Sequence, residues 1–292
     1  MVPENYSDLK EIKSSMAGYI SGSLELLSGE PLPDDSAIHD VRVLLKKHRA
    51  AVRLVRPLLD EAVYQREYLA GRETGRLLAS WRDTAVLRKT VKSLRKNNPE
   101  LFVKLHENEK IMSLLRKPYT GWNDAAEQAR TVSEVAERLK KAQYRLRFLG
   151  MGEPGMSLPT GVLEETYRVA AKAYLASRNK PSAALLHEFR KKSKTFMYQL
   201  VFFRHMAPRE VKQLEKRLST MTQNLGRYND LAQVMKIAGY RFGESGNRDI
   251  DDELAVVIRD RQDRYLMKVW PVAYRIFAPG KKLQDIIGIS FR

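Results

Sequence analysis

The sequence predicts an all-α protein built from two repeat-related halves. Apolar residues recur at the three- and four-residue spacing of amphipathic helices along nearly the whole chain, and no segment shows convincing strand-like alternation. Glycine and proline fall between the periodic segments and rarely inside them. A pattern of charged residues also returns about 148 residues later, which is typical of an internal repeat.

The predicted helices have recognisable ends. Apolar periodicity places them at residues 7–28, 36–56, 58–80, 83–96, 99–115, 122–149, 160–178, 182–205, 208–226, 228–241 and 250–270. Ser36 and Ser182 are predicted N-caps, because their hydroxyl oxygens can accept from backbone N–H groups in the first turn. Pro57 should end or kink the helix that begins near Ser36.

A stretch rich in glycine and proline, residues 150–159, divides the chain into near-equal parts. We expect a single domain over residues 1–292, made of an N-terminal half, 1–150, and a C-terminal half, 160–292. The two halves should pack around a pseudo-twofold axis, because they repeat the same plan.

The repeat joins a basic helix to a helical hairpin in each half. Three basic positions match at a separation of 148 residues: His39 with His187, Arg42 with Arg190, and Lys46 with Lys194. Asp83 and Asp230 match at a separation of 147 residues, and each is predicted to lie in the turn of its hairpin. The second matching block makes a chance similarity of two basic helices a weak explanation.

The basic residues of each copy share one face of their helix. In the first copy the face spans a sector of about 80°, at 100° per residue, and it carries His39, Arg42, Lys46, Arg49 and Arg53. In the second copy the sector is about 100°, with His187, Arg190, Lys191, Lys194, Tyr198 and His205. Met197 and Val201 stand where the first copy has Arg49 and Arg53, so the two faces are unequal.

An unbroken row of cations favours an anionic partner. The chain has 52 basic and 35 acidic residues, which gives a net charge of +17, and cations one helical turn apart repel each other. A polyanion laid along the row would offset that repulsion. The alternative is an ordinary solvated face whose arginine and lysine stems cover apolar neighbours.

The histidines and aspartates leave several roles open. His39 followed by Asp40 resembles the metal pair of a phosphohydrolase, but such a site needs further ligands, and the second copy has Glu188 in place of Asp40. His39 and His187 are better explained as donors to phosphate. Asp83 and Asp230 could fix a basic side chain of the row or cap the following helix, and neither role is catalytic.

Several classes of protein are excluded or disfavoured. The chain has no cysteine, so it has neither disulfides nor thiolate metal sites. Phosphate-binding glycine loops, the nucleophile elbow of hydrolases and clusters of acidic metal ligands are absent, and no cofactor is expected. The first residues are polar and no apolar stretch could cross a bilayer, so we expect a cytoplasmic protein without membrane insertion.

These motifs together resemble the CHAD domain, the conserved histidine α-helical domain. The likeness rests on the two histidine motifs, on Trp81-Arg82-Asp83, and on Leu225-Gly226 followed by Asn229-Asp230; Arg168 and Lys172 resemble the family's basic helix before the second histidine. The resemblance implies two similar helical bundles around a basic central cavity. It also implies non-catalytic binding of inorganic polyphosphate, sometimes at polyphosphate granules, by a stand-alone domain. Arg82, Asp83, Asn229 and Asp230 would support the contact residues.

The residues alone indicate only a polyanion, and polyphosphate comes from the resemblance. Two alternatives stay open. A nucleic-acid-binding protein would need base-edge donors or aromatic platforms, and Tyr198 is the one candidate platform on the basic faces. A phosphohydrolase acting on phosphate polymers would need the acidic metal ligands that the sequence lacks.

Overall fold

The computed structural model describes residues 5–29, 32–105, 108–116, 125–152, 158–238 and 248–288. Over these ranges the chain forms helices and the turns between them, with no strand. The predicted all-α class is confirmed. No helix in these ranges is long and apolar enough to cross a membrane.

The N-terminal half contains seven α-helices among the described residues. They are α1 (Asn5–Leu27), α2 (Asp35–Leu54), α3 (Glu61–Leu77), α4 (Ala79–Asn97), α5 (Pro99–Lys104), α6 (Glu109–Arg116) and α7 (Ala125–Arg147). A short 3-10 turn, Arg56–Leu58, follows α2 and contains Pro57. The prediction that Pro57 ends this helix is confirmed.

The C-terminal half contributes five α-helices over the described ranges. They are α8 (Leu158–Asn179), α9 (Ala183–Leu200), α10 (Pro208–Ile237), α11 (Arg248–Phe277) and α12 (Leu283–Ile287). A 3-10 turn, Val201–Phe203, follows α9, as the turn with Pro57 follows α2. Each basic helix therefore ends in the same way.

One of the two predicted helix caps is correct. Ser182 caps α9, because its hydroxyl oxygen accepts from the N–H group of Leu185 at 3.3 Å. The prediction for Ser36 is wrong: Asp34 caps α2, and its carboxylate accepts from the N–H group of Ala37 at 2.8 Å. A carboxylate at this position also interacts favourably with the positive end of the helix dipole.

Two predicted helix ends are absent. The predicted break after Gly226 is wrong, because α10 continues to Ile237 with Leu225 and Leu231 buried on either side of the glycine. Helix α11 likewise continues past Pro271, where Val269 and Ala273 are fully buried. Buried apolar contacts outweigh the cost of glycine in a helix, about 1 kcal/mol relative to alanine.

One predicted helix is divided. The segment 99–115 forms α5 and α6, and the carboxamide oxygen of Asn108 accepts from the N–H group of Ile111 at 3.2 Å at the start of α6. Asparagine is a strong N-cap, which explains why a new helix begins there.

The two halves pack alike around their basic helices and share a core. Helix α2 packs against α1 and α3, α9 packs against α8 and α10, and α2 and α9 also contact each other. The main hydrophobic core includes Ile38 and Leu45 of α2 and Phe189 and Phe196 of α9. A second core joins α4, α5 and α6 to α10 and α11. The pseudo-twofold relation between the halves stays a prediction.

Candidate functional site

Basic side chains from both halves meet where α2 contacts α9. Lys46 of α2 has its pKa lowered to about 8, first by desolvation and then by repulsion from Arg42, Arg190, Arg49 and Lys194. Its side chain is exposed to solvent, so the desolvation reflects a concave surface rather than a closed interior. Every charge that shifts this pKa is a cation, and two of the four belong to α9.

Lys194 of α9 has a matching environment. Desolvation and the charges of Arg190 and Lys47 lower its pKa to about 8. Its Nζ lies 5.4 Å from the ring centroid of Tyr198, at cation–π distance. Tyr198 is itself buried, with 7% of its surface exposed. Its ring therefore supports Lys194 and is not an open stacking platform.

A pocket of about 220 Å³ opens between α2 and α3, beside this cluster. Five of its nine lining residues are cations and none is a carboxylate. The lining consists of Arg42, Leu45, Lys46, Arg49, Gly71, Arg72, Gly75, Arg76 and Ala79. This α2–α3 pocket is a strongly positive concavity whose cations come from the N-terminal half.

The repeat-related arginines each bind a backbone carbonyl of the next long helix. Arg42 Nη1 donates to the Gly75 carbonyl oxygen at 2.8 Å, and Arg190 Nε donates to the Thr222 carbonyl oxygen at 3.1 Å. A Cβ atom on Gly226 would lie 3.1 Å from Arg190 Nε. Both arginines are thus held in place by a hydrogen bond to the backbone of the neighbouring helix.

Arg49 is held by close packing. A Cβ atom on Gly71 would lie only 3.1 Å from Arg49 Cγ, so the glycine permits the close approach of α3. Arg49 Nε is buried without a hydrogen-bond partner among the described residues. Burial lowers the pKa of the Arg49 guanidinium, and Arg53 and Arg72 lower it further, against an opposing effect of Tyr68.

The two motif histidines differ in environment. His39 is exposed on α2. His187 is half-buried, and it makes a side-chain hydrogen bond with Asn229. Desolvation and the charges of Lys191 and Arg190 lower the pKa of His187. The lowered pKa favours the neutral form of His187 in the free protein, and an anion nearby would favour its protonated form.

Arg53 lies at the C-terminal end of the basic face, one turn beyond Arg49. It lies 11 residues after Arg42, which is about 16 Å along the helix axis, and its Nη2 donates to the Tyr68 hydroxyl at 2.8 Å. It lines a different cavity of about 790 Å³, together with residues of α8 such as Glu164 and Glu165. The shared angular sector was predicted correctly, but the axial distance places Arg53 among other neighbours.

Three further predicted contact residues are exposed. Lys191 forms an ion pair with Glu188, and Arg168 pairs with Glu165 at 3.2 Å. Lys172 is exposed on α8. None of the three lines either cavity described above, so the structure does not bring them into the α2–α3 pocket.

The aspartates of the second motif are not helix caps. Asp83 is exposed in the first turns of α4, and Asp230 is half-buried within α10. The capping alternative and the predicted turn position are therefore wrong for both aspartates, because each residue lies inside a helix. The side chain of Arg82 lies outside the described residues. Trp81 has a clear role: its indole N–H donates to Asp35 at 2.6 Å and fixes α4 against α2.

Arg72 and Arg76 were not identified from the sequence. They lie one turn apart on α3 and line the α2–α3 pocket with the predicted cations of α2. The signal that could have found them is the pair Gly71 and Gly75 beside them, since small residues at this spacing let two helices approach closely. Among the described residues, no group of three His, Asp or Glu side chains is placed to hold a metal ion.

Comparison with known proteins identifies the family. The model of the CHAD domain matches residues 25–237 of this chain. The crystal structure of the CHAD domain from the plant Ricinus communis is similar to the chain, with 16% sequence identity and a TM-score of 0.48 over 94% of this chain and 90% of that one. No curated protein sequence matches. Because the family model covers well over half of the sequence, the chain belongs to the CHAD domain family.

Proposed function

We propose that this protein binds inorganic polyphosphate, without catalysis, through the basic cluster between α2 and α9 and the adjoining α2–α3 pocket. The observation that carries the proposal is the environment of Lys46, where four cations from both halves act on one ammonium group. Association with polyphosphate granules in the cytoplasm is part of the same proposal.

Such a cluster favours a multivalent anion. Like charges within a few ångströms repel, and desolvation adds to the cost because it weakens the screening by water. A polyphosphate chain presents a negative charge on each phosphate and could contact several of these cations at once. Its binding would release counterions, as it does for nucleic acids, and affinity should fall steeply with salt.

Two features favour polyphosphate over nucleic acid. Single-stranded nucleic acids bind through exposed aromatic rings on which bases stack, and Tyr198, the candidate platform, is buried beneath Lys194. The α2–α3 pocket, at about 220 Å³, is small for a nucleotide with its sugar and base but wide enough for phosphate groups. DNA is therefore the competitor in the experiment.

The test is competition binding of labelled long-chain polyphosphate at physiological salt, with unlabelled polyphosphate or DNA added. We expect DNA to compete poorly. Lys46→Glu with Lys194→Glu should weaken binding by about 100-fold or more, since two charge-assisted contacts of about 1.5–3 kcal/mol each are lost. These lysines are preferable to Arg42 and Arg190, whose hydrogen bonds to backbone carbonyls also support the fold.

The matched control replaces Lys89 and Lys92 with Glu on the exposed surface of α4. Both double variants change the net charge equally, so a general charge effect would weaken both alike. The proposal requires a much larger loss, and a smaller salt dependence, for the variant at positions 46 and 194. Equal losses in two folded variants would show that the cluster is not the site. Hydrolysis of polyphosphate with Mg²⁺ or Mn²⁺ that depends on Asp83 or His39 would contradict the non-catalytic part.

A further inference from the structure

We infer that the α2–α3 pocket binds the terminal phosphates of an oligophosphate, and that Arg72 and Arg76 of α3 hold them. The ligand chemistry is a di- or triphosphate group, whether it is free, at the end of a longer chain, or attached to a nucleoside. The inference rests on the proposed function, because it assigns one part of the same site.

The size of the pocket suits a short phosphate group. Its volume is about 220 Å³, and a water molecule occupies about 30 Å³ in the liquid, so the pocket has room for a few phosphates. Leu45 and Ala79 are its apolar lining residues, alongside the small residues Gly71 and Gly75.

The charge of the pocket favours an end over the middle of a chain. Arg42, Lys46, Arg49, Arg72 and Arg76 supply five cations, and no lining residue is acidic. A terminal phosphate carries about 1.5–2 negative charges at pH 7 because its second pKa is about 6. An internal phosphate has one ionisable oxygen and carries one charge. The cluster of cations in the pocket should therefore bind a terminal phosphate more strongly than an internal phosphate.

The C-terminal half does not repeat this pocket. Arg42 and Lys46 match Arg190 and Lys194, but Met197, Ser219 and Gln223 stand at the positions that match Arg49, Arg72 and Arg76. Five cations in one half thus correspond to two in the other. The N-terminal half would fix the end of the ligand, and Lys46, which lies near Arg190 and Lys194, would lead the chain toward α9.

Glu73 modulates the two arginines. Its carboxylate lies 3.8 Å from Arg72 Nε and 3.3 Å from Arg76 Nη1, and all three side chains are substantially exposed. Ion pairs of this kind are weak because water screens them. A phosphate group in the pocket would compete with Glu73 for the same donors, so removal of the carboxylate should strengthen ligand binding.

The first experiment is titration calorimetry of the full chain with pyrophosphate and with tripolyphosphate at fixed ionic strength. Arg72→Gln with Arg76→Gln should weaken binding by at least about tenfold, and Glu73→Gln should strengthen it. Arg138→Gln with Arg264→Gln is the matched control, because these arginines are also exposed and paired with carboxylates on their own helices. Circular dichroism checks that each variant is folded.

Equal affinity of the Arg72 and Arg76 variant and the control variant would overturn the assignment. An unchanged or weaker affinity of the Glu73 variant would also count against it, because a purely structural role of α3 gives no reason for tighter binding.

The second experiment separates this inference from the proposed function. Long-chain polyphosphate with free ends is compared with the same polymer after both ends are blocked as phosphoramidates. Blocking should weaken binding to the wild-type protein, but not to the variant without Arg72 and Arg76.

If blocked and free chains bind the wild-type protein equally, the assignment of the pocket to terminal phosphates fails while polyphosphate binding stands. If only short phosphates bind, the proposed function fails and the pocket stands. ATP that binds as tightly as tripolyphosphate would support the pocket and identify nucleotides as a source of the ligand.

Discussion

Arg42 Nη1 donates a hydrogen bond of 2.8 Å to the carbonyl oxygen of Gly75, and this bond ties α2 to α3. Its repeat counterpart, Arg190, makes the equivalent bond to Thr222 through Nε. Gly75 and Thr222 are 147 residues apart, the separation that also relates Asp83 to Asp230. The alignment places Ala79 opposite Gly226, where an added Cβ atom would lie 3.1 Å from Arg190 Nε.

Replacement of Gly226 by alanine should weaken polyphosphate binding without unfolding the protein. The new Cβ atom would lie 3.1 Å from Arg190 Nε and displace a guanidinium that is bonded to Thr222. Returning the displaced guanidinium to its place on binding should cost about as much as one hydrogen bond, about 0.5–1.5 kcal/mol, which corresponds to about a two- to tenfold loss of affinity. Gly18→Ala is the control, since nothing lies within 4 Å of its added Cβ atom. That variant should bind normally and unfold at a higher temperature in a thermal melt.

The basic helices could be predicted from the sequence because several independent signals agree there. Apolar periodicity and a repeat at fixed spacing place both α2 and α9, and the Ser182 cap also marks the start of α9 correctly. Helix α10 could not be predicted as one element, because Gly226 is a break signal when neighbours are unknown. The contact that buries Gly226 involves Arg190, which is distant in sequence.

The candidate site was predicted only in part for a similar reason. Helical geometry groups Arg42, Lys46 and Arg49 on one face, and the repeat adds Arg190 and Lys194. The geometry of one helix does not show which neighbour each turn will meet, so Arg53 was grouped with Arg42, which lies about 16 Å away along the axis. Arg72 was missed because its role depends on how α3 packs against α2.

Glu67 is predicted to be a major stabilising residue of the N-terminal half. Its carboxylate, 1% exposed, accepts from Arg145 at 2.7 and 3.1 Å and from Arg66 at 2.9 Å. Glu67→Gln removes the negative charge and leaves Arg145 without a counterion, which should cost about 3–5 kcal/mol in urea unfolding. Glu134→Gln breaks an exposed pair with Arg138 and should cost less than about 1 kcal/mol. Similar losses of unfolding free energy in both variants would show that burial of the Glu67 carboxylate does not strengthen its ion pairs.

His48 should make stability depend on pH between about 7 and 5. It is 1% exposed, and burial lowers its pKa from 6.5 to about 4. Between these two pKa values the unfolded chain binds a proton that the folded protein does not, so stability falls as pH decreases. The loss from pH 7 to pH 5 should be about 2 kcal/mol. The test compares His187→Gln alone with His187→Gln plus His48→Gln, because the pKa of His187 is also lowered and its titration would otherwise contribute. Urea unfolding at both pH values should show a smaller loss of stability for the protein that lacks His48.

Lys46 should destabilise the free protein. Its folded pKa is about 8 against an ordinary 10.5, so the charged form is disfavoured on folding and the full cost is present below pH 8. Because the side chain is exposed, screening should limit the gain from Lys46→Gln at pH 7 to less than about 1 kcal/mol, or about 2 °C in melting temperature. Polyphosphate should remove this advantage by stabilising the wild-type protein more than the variant. A lower melting temperature for the free variant would show that Lys46 makes a favourable contact instead.

Polyphosphate affinity should fall as pH rises from 7 to 9. Lys46 and Lys194 have pKa values of about 8 in the free protein, and a bound polyanion would raise both. Binding near pH 8 is then accompanied by proton uptake, which calorimetry in two buffers of different ionisation enthalpy would detect. At pH 9 the loss of charge should reduce affinity by at most about tenfold per lysine, because each pKa lies about one unit below that pH. The charge of the ligand changes little over this range, since the second pKa of a terminal phosphate is about 6.

Lys46→Arg with Lys194→Arg is the control, because it keeps both charges at pH 9. Its affinity should be nearly independent of pH. A flat profile in the wild-type protein as well would show that these two lysines do not contact the ligand.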